Sequence, residues 1–280
     1  MTFHASAATA VPLEPGSKWL LALDIDGTIV HEDGTLTEPV RLAVARVAGL
    51  GHEVMIATGR SMASTLPILH QLGIQPEYVV CSNGAITLRR DPLAEGGYRR
   101  EFVETFDPGP VLTKIREHLI GASYAVENEE GQFRYHGEFP KMVLSASDIP
   151  VDFEGLFNVE ATRVVVISPG HDMEDFLKLV ERMGLHRVSY AIGWTAWLDI
   201  APDGVNKATG MERVRLALGV HRSRIFAIGD GRNDIEMLQW ASLEGRGVAM
   251  GQAPEDVLAA ANETTSGVHE DGLAHALRTF

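Results

Sequence analysis

An unbroken apolar run, Trp19 to Leu23, passes directly into Asp24-Ile25-Asp26-Gly27-Thr28. A strand without polar alternation is covered on both faces, as in a parallel sheet sandwiched between helices. Gly27 lets the backbone turn away sharply, and Asp24 and Asp26 are expected to share one side of the strand end. Carboxylates this close repel each other, so at neutral pH either a cation sits between them or one holds a proton. A hard divalent cation suits the pair, and Mg²⁺ in particular takes few protein carboxylates and keeps room for water and a phosphate oxygen. A calcium loop starting at Asp24 fails, because Ile29 stands where Gly is required and Thr35 where Glu is required. A surface turn that happens to read Asp-x-Asp-Gly is the plain alternative.

The segment 24–28 resembles the first motif of the haloacid dehalogenase (HAD) superfamily of phosphohydrolases, whose other motifs must then follow in order. After the turn at Glu32-Asp33-Gly34, Thr37-Glu38-Pro39 opens a helix with Val40, Val44, Val47 and Leu50 on one face, ended by Gly51. A second buried strand over 52–57 stops at Thr58-Gly59-Arg60-Ser61. A hydroxyl, a bare backbone and a guanidinium ahead of a helix starting near Met62 make either a phosphate cradle or ordinary helix caps. The position matches the second HAD motif, in which the hydroxyl holds the transferring phosphoryl group. A third strand over 77–81 ends in Ser82-Asn83-Gly84-Ala85 at the sheet edge where open α/β folds bind ligands, although Asn83 can equally serve its own turn. In the Cof-like (type IIB) branch of the superfamily this segment faces the substrate.

From about Ile86 to Trp194 the pattern changes. Residues 86–89 and 98–105 predict a hairpin, 110–119 a helix, 124–127 and 133–136 short strands; a strand at 162–168, a helix at 173–183 and strands at 187–192 and 197–200 follow. This is an α+β insert with helices on one side of a sheet. His118, His136, His171 and His186 lack metal-ligand spacing, so packing or surface roles are expected. Arg134, Tyr135 and His136 could reach a substrate from above. The insert resembles the large cap of Cof-type members, which would close over the site and set specificity.

The chain returns through Pro202-Asp203-Gly204-Val205-Asn206-Lys207 into a helix running towards Leu218. A lysine at a helix start opposes the helix dipole, so another use for Lys207 is expected, unless it is simply exposed. Lys207 matches the lysine of the third HAD motif, which binds phosphoryl oxygens and offsets charge on the nucleophile. Finally, 224–228 forms a buried strand before Gly229-Asp230-Gly231-Arg232-Asn233-Asp234. A dinucleotide fingerprint fails because Asp234 occupies the place of the last Gly, and Asn233 reads as a helix cap. Yet the segment resembles the fourth HAD motif, whose acidic residues complete the Mg²⁺ site. The later 247–253 segment also resembles the Cof-like core, and that resemblance leads one to expect Asn at the place of Gln252.

A chain of 280 residues suits a core with an inserted second domain, and a net charge of −14 argues against nucleic acid or an anionic membrane as partner. Cys81 excludes an internal disulfide and reads as a small buried side chain. No stretch approaches membrane-spanning length and residues 1–17 do not read as a secretion signal, so a cytoplasmic location is expected. The expected fold is α/β, a Rossmann-like doubly wound parallel-sheet core (18–85 and 195–280) with an inserted α+β cap of C2B type (86–194) and a flexible extension (1–17). The resemblance implies an Mg²⁺-dependent phosphatase acting on a small phosphorylated metabolite through an aspartyl-phosphate, as a monomer or small homo-oligomer. Its catalytic residues would be Asp24 (nucleophile), Asp26 (acid and base), Thr58 and Lys207. Gly59, Arg60, Asn83, Gly84 and Asn233 would join Thr58 and Lys207 around phosphate and substrate, and Asp24, Asp26, Asp230 and Asp234 would serve the metal, Asp26 through its backbone carbonyl. A phosphomutase of the same superfamily and a receiver-like phospho-Asp signalling protein are the alternatives.

Overall fold

The computed structural model describes residues 18–140, 144, 147–183, 185, 188–192 and 196–280; the extension expected over 1–17, His186 and Trp194 lie outside them. Among the described residues the strands are β1 (Leu20–Leu23), β2 (Glu53–Ile56), β3 (Tyr78–Cys81), β4 (Ile86–Arg90), β5 (Tyr98–Val103), β6 (Ser123–Asn128), β7 (Phe133–His136), β8 (Ile149–Pro150), β9 (Ala161–Ile167), β10 (Val188–Ile192), β11 (Trp197–Pro202), β12 (Ile225–Gly229), β13 (Arg246–Ala249) and β14 (Glu263–Thr264). The helices are α1 (Glu38–Gly49), α2 (Met62–Leu72), α3 (Gly109–Arg116), α4 (Met173–Met183), α5 (Lys207–Leu218), α6 (Ile235–Ser242), α7 (Glu255–Leu258) and α8 (Gly272–Ala276).

The core sheet is parallel, in the order β14-β13-β12-β1-β2. Strand β1, between β12 and β2, is apolar on both sides because both sides are covered. Leu21 and Leu23 pack with Val40, Val44 and Val47 of α1, while Leu20 and Ala22 pack with Met211 and Val214 of α5 and Met237 of α6. Burying side chains of this size contributes about 1.5–3 kcal/mol each before entropy is counted. Leu50, expected on the buried face of α1, is 42% exposed, as the cap residue that follows the last helical turn.

β3 adjoins β2 through the parallel bridge Ala57 to Val80, and Thr58 N donates to Val80 O (2.9 Å). It then pairs antiparallel with β4, and β4 with β5. The hairpin read as the start of the insert therefore shares a sheet with β3, and its Ile86, Leu88 and Tyr98 belong to the core cluster. A second, six-stranded sheet has the order β10-β11-β9-β6-β7-β8. It includes β11, expected on the core side of a border at 194/195. By sheet membership, we propose unit borders near 104 and 202.

One face of the second sheet, with Val126, Val164, Val166 and Ile200, packs on Leu112 and Ile115 of α3 and Phe176 and Val180 of α4. The other face carries Ala125, Glu127, Phe133, Arg163, Val165 and Asp199 and reaches the core through Ser82 and Gly59. Arg134 and His136 face away from the core, towards the carbonyls of Gly155 (3.5 Å) and Val151 (3.2 Å). No helix among the described residues is long and apolar enough to cross a membrane.

Candidate active site

The ends of β1, β2, β3 and β12 deliver the candidate residues to one edge of the sheet, in register because the strands run parallel. Asp24 follows β1, its amide bonded to Ile228 O of β12 (3.1 Å), and its side chain is buried. Lys207, the first residue of α5, is completely buried, and its Nζ donates to Asp24 Oδ1 (2.7 Å) and Asp234 Oδ1 (2.6 Å). The unfavourable helix position is thus occupied by a cation held between two carboxylates. Asn206 caps the helix in its place, accepting from Thr209 N while Thr209 Oγ1 accepts from Asn206 N.

Asp24, Asp230 and Asp234 each offer an oxygen within 4.8 Å of the others. One ammonium faces three buried carboxylates, so negative charge is in excess. Burial, then Asp234, hold the Asp24 carboxyl well above its usual range, with Lys207 opposing. Burial, then Asp234, push Asp230 up to about 7. Burial pulls the Lys207 ammonium down, but Asp234 and Asp24 more than offset this and leave it above its ordinary value. All donors are hard oxygens and Lys207 alone does not balance the three carboxylates, so the residues present fit a divalent cation. The surroundings match that demand: Gly27 has φ +75°, and a Cβ there would lie 2.1 Å from Asp230 Oδ2. Asp234 is engaged elsewhere, its Oδ2 accepting from the amides of Asp230 (3.1 Å) and Gly231 (3.0 Å).

Asp26 does not share the pocket of Asp24. Its side chain is 63% exposed and takes a two-pronged bond from Arg60, Nε to Oδ2 (2.9 Å) and Nη2 to Oδ1 (2.6 Å). The turn that begins at Asp24 carries the second carboxylate outward, which relieves the repulsion expected between the two. Thr58 is buried and its Oγ1 accepts from Arg60 N (3.1 Å). Gly59 lies under Asn83 and Asn233, whose side chains are joined by Asn233 Nδ2 donating to Asn83 Oδ1 (3.0 Å). Asn233 therefore ties two loops together rather than capping α6. Gly84 (φ +99°) sits against Asn206, where a Cβ would meet the carbonyl oxygen at 2.1 Å. Cys81 is buried, and its thiol is pushed up to about 12 by desolvation, which makes it a poor nucleophile.

Gln252 escaped the sequence reading as a site residue. Its Nε2 donates to Gly27 O (2.6 Å) and Asp230 Oδ2 (3.2 Å), and its Oε1 accepts from Val268 N (3.0 Å). Its signal was the Gly-Gln-Ala loop after β13, visible as a turn but silent about its target.

The family model of the haloacid dehalogenase-like hydrolases matches residues 21–277. A 5-amino-6-(5-phospho-D-ribitylamino)uracil phosphatase of Bacillus subtilis is 30% identical over 274 residues, covering 94% of this chain and 97% of that protein. A pyridoxal phosphate phosphatase of Escherichia coli is 26% identical over 273 residues, covering 91% of this chain and 96% of that one. A solved HAD subclass IIB sugar phosphatase has the same fold, with a TM-score of 0.77 at 24% identity over 94% of this chain and 99% of the other.

Proposed function

This chain belongs to the haloacid dehalogenase-like hydrolases, and on that footing we propose that it hydrolyses a small phosphorylated metabolite through a phosphorylated Asp24. The observation that carries this reading is Lys207, buried between Asp24 and Asp234 beside Asp230 at the strand ends.

Asp24 attacks phosphorus and the ester oxygen departs, taking its proton from Asp26; Asp26 then removes a proton from the water that cleaves the aspartyl-phosphate and frees inorganic phosphate. Arg60 must release Asp26 for these transfers, and the phosphoryl oxygens of an arriving substrate offer its guanidinium another acceptor. Lys207 favours the ionised, nucleophilic form of Asp24 and attracts phosphoryl oxygens. Asp234 is read as the anchor of Lys207 and of the 230–231 amides, and Asp24 and Asp230 as the side chains that would hold Mg²⁺, with the Asp26 carbonyl as the resemblance implies. Mg²⁺ bound there would neutralise phosphoryl charge. Thr58, Gly59, Asn83 and Asn233 would line the phosphate side, and the second sheet would cover the leaving group.

Phosphate release from a phosphometabolite panel and an aryl phosphate, with Mg²⁺, with chelator and with Asp24→Asn, tests the reading. Turnover is expected with Mg²⁺ alone, and Asp24→Asn should abolish it. Turnover that survives Asp24→Asn would rule the mechanism out.

A further inference from the structure

The second sheet does more than overhang the site. Glu127 of β6 and Arg163 of β9 lie opposite each other in register and so point to the same side, towards the core. Both are buried, with Arg163 Nε 3.1 Å from Glu127 Oε2 and 3.6 Å from Asp199 Oδ1, and the guanidinium stands over the Phe133 ring at 5.2 Å. A buried ion pair of this kind costs desolvation that an apolar pair would avoid. Each member also has a partner outside its own sheet. Arg163 Nη1 donates to Gly59 O, and Ser82 Oγ donates to Glu127 Oε2 (2.8 Å).

Those two partners sit in the loops that flank the candidate phosphate site, and the loops are locked together. Ser82 N donates to Arg60 O (2.9 Å) and Asn83 N to Thr58 O (3.0 Å). Ser82 and Asn83 both hold positive φ, 48° and 51°, a conformation that asparagine adopts readily but that serine keeps only where its surroundings impose it. The bond to Glu127 is one such imposition. A Cβ on Gly59 would lie 3.1 Å from Asn83 Oδ1 and 3.4 Å from Asn233 Nδ2, so a shift of the Gly59 carbonyl is felt at once by both asparagines.

We infer that Arg163 and Glu127 are positioning residues: through Gly59 and Ser82 they carry the closure of the second sheet into the two phosphate-side loops, so that turnover depends on them even for a substrate too small to touch that sheet. The inference rests on the phosphatase reading above.

The test compares wild type, Arg163→Met, Arg163→Lys and Ser82→Ala on the best metabolite and on 4-nitrophenyl phosphate, with amide hydrogen exchange followed over 58–61 and 82–85. Because a misplacement of about 1 Å costs on the order of 100-fold, Arg163→Met should lower kcat roughly 10- to 100-fold on both compounds while KM for the aryl phosphate stays within about threefold. Arg163→Lys, which keeps a cation beside Glu127, should recover part of the loss. The amides of Ser82 and Asn83 should exchange faster in Arg163→Met while those of β1 keep their rates. Ser82→Ala leaves the ion pair intact and should show a milder form of both effects, which covers the case in which Arg163→Met does not fold. An unchanged kcat on the aryl phosphate, a loss confined to KM for the metabolite, or unchanged exchange at 82–83 overturns the inference. Wild-type protein that releases phosphate from neither compound overturns the phosphatase reading instead, and the exchange rates then decide alone whether Arg163 fixes the loops.

Discussion

Asp230 shows how burial sets the behaviour of one carboxylate. Its folded-state value of about 7 stands above the ordinary 3.8, so the folded protein holds this proton more tightly than the unfolded chain. In metal-free protein the stability from this group is complete below the ordinary value and is lost as pH rises through about 7. A cation must displace the same proton, so Mg²⁺ should raise the unfolding temperature more at pH 8 than at pH 6; scanning calorimetry with and without Mg²⁺ at both values measures this. An equal shift at both would exclude Asp230 as the group that competes with the metal. The residues around it were unequally legible. Asp24, Lys207 and Asp230 were readable because each breaks a local expectation, either a charge directly after a buried strand or a lysine at the wrong end of a helix. Arg60 was visible, but its bond to Asp26 joins two loops across the sheet edge, and no spacing encodes that.

At the scale of elements, the turn 82–84 and the start of α5 form one unit. Gly84 presses on the Asn206 carbonyl, and Lys207 follows directly. Gly84→Ala forces a Cβ into that contact at a φ of +99°, with an expected cost of about 1–3 kcal/mol. Any relief must move either the turn or the helix that carries Lys207, so kcat should fall at least roughly tenfold. A variant with wild-type kcat would show that the helix start tolerates displacement. Strands β1, β2, β3 and β12 were read from apolar runs, because covered strands leave a plain signature. Strand partners were not: β4 and β5 alternate like any hairpin, and only the packing of Ile86 and Leu88 in the core cluster assigns them to β3. Arg163 was legible in principle, as a charge directly before the apolar run 164–167, yet its reach to Gly59 required the second sheet to be folded over the core.

For the whole molecule, the net charge of −14 is the governing quantity. The site holds part of it, since four aspartates there face Lys207 and Arg60. A phosphorylated substrate approaches against this field, and salt shortens the field's range to about 8 Å at physiological ionic strength. Raising ionic strength from about 10 mM to about 150 mM at saturating Mg²⁺ should therefore increase kcat/KM on an anionic substrate by up to roughly threefold, with kcat unchanged. A fall would mean that the Mg²⁺-loaded site presents a net positive face. The covering sheet is inserted between β5 and α5, and the two crossings meet: Glu104 N donates to Ala85 O (2.8 Å), and Ala85 packs with Ala201 and Val205. This has a consequence for the order in which the chain assembles. β1 and β2 must find β12 across the whole intervening sequence, a contact that is slow to form when the loop between them is long and loose. Once the six-stranded sheet has formed from its own neighbours, its two ends stand side by side, and the halves of the parallel core meet as if a short turn joined them.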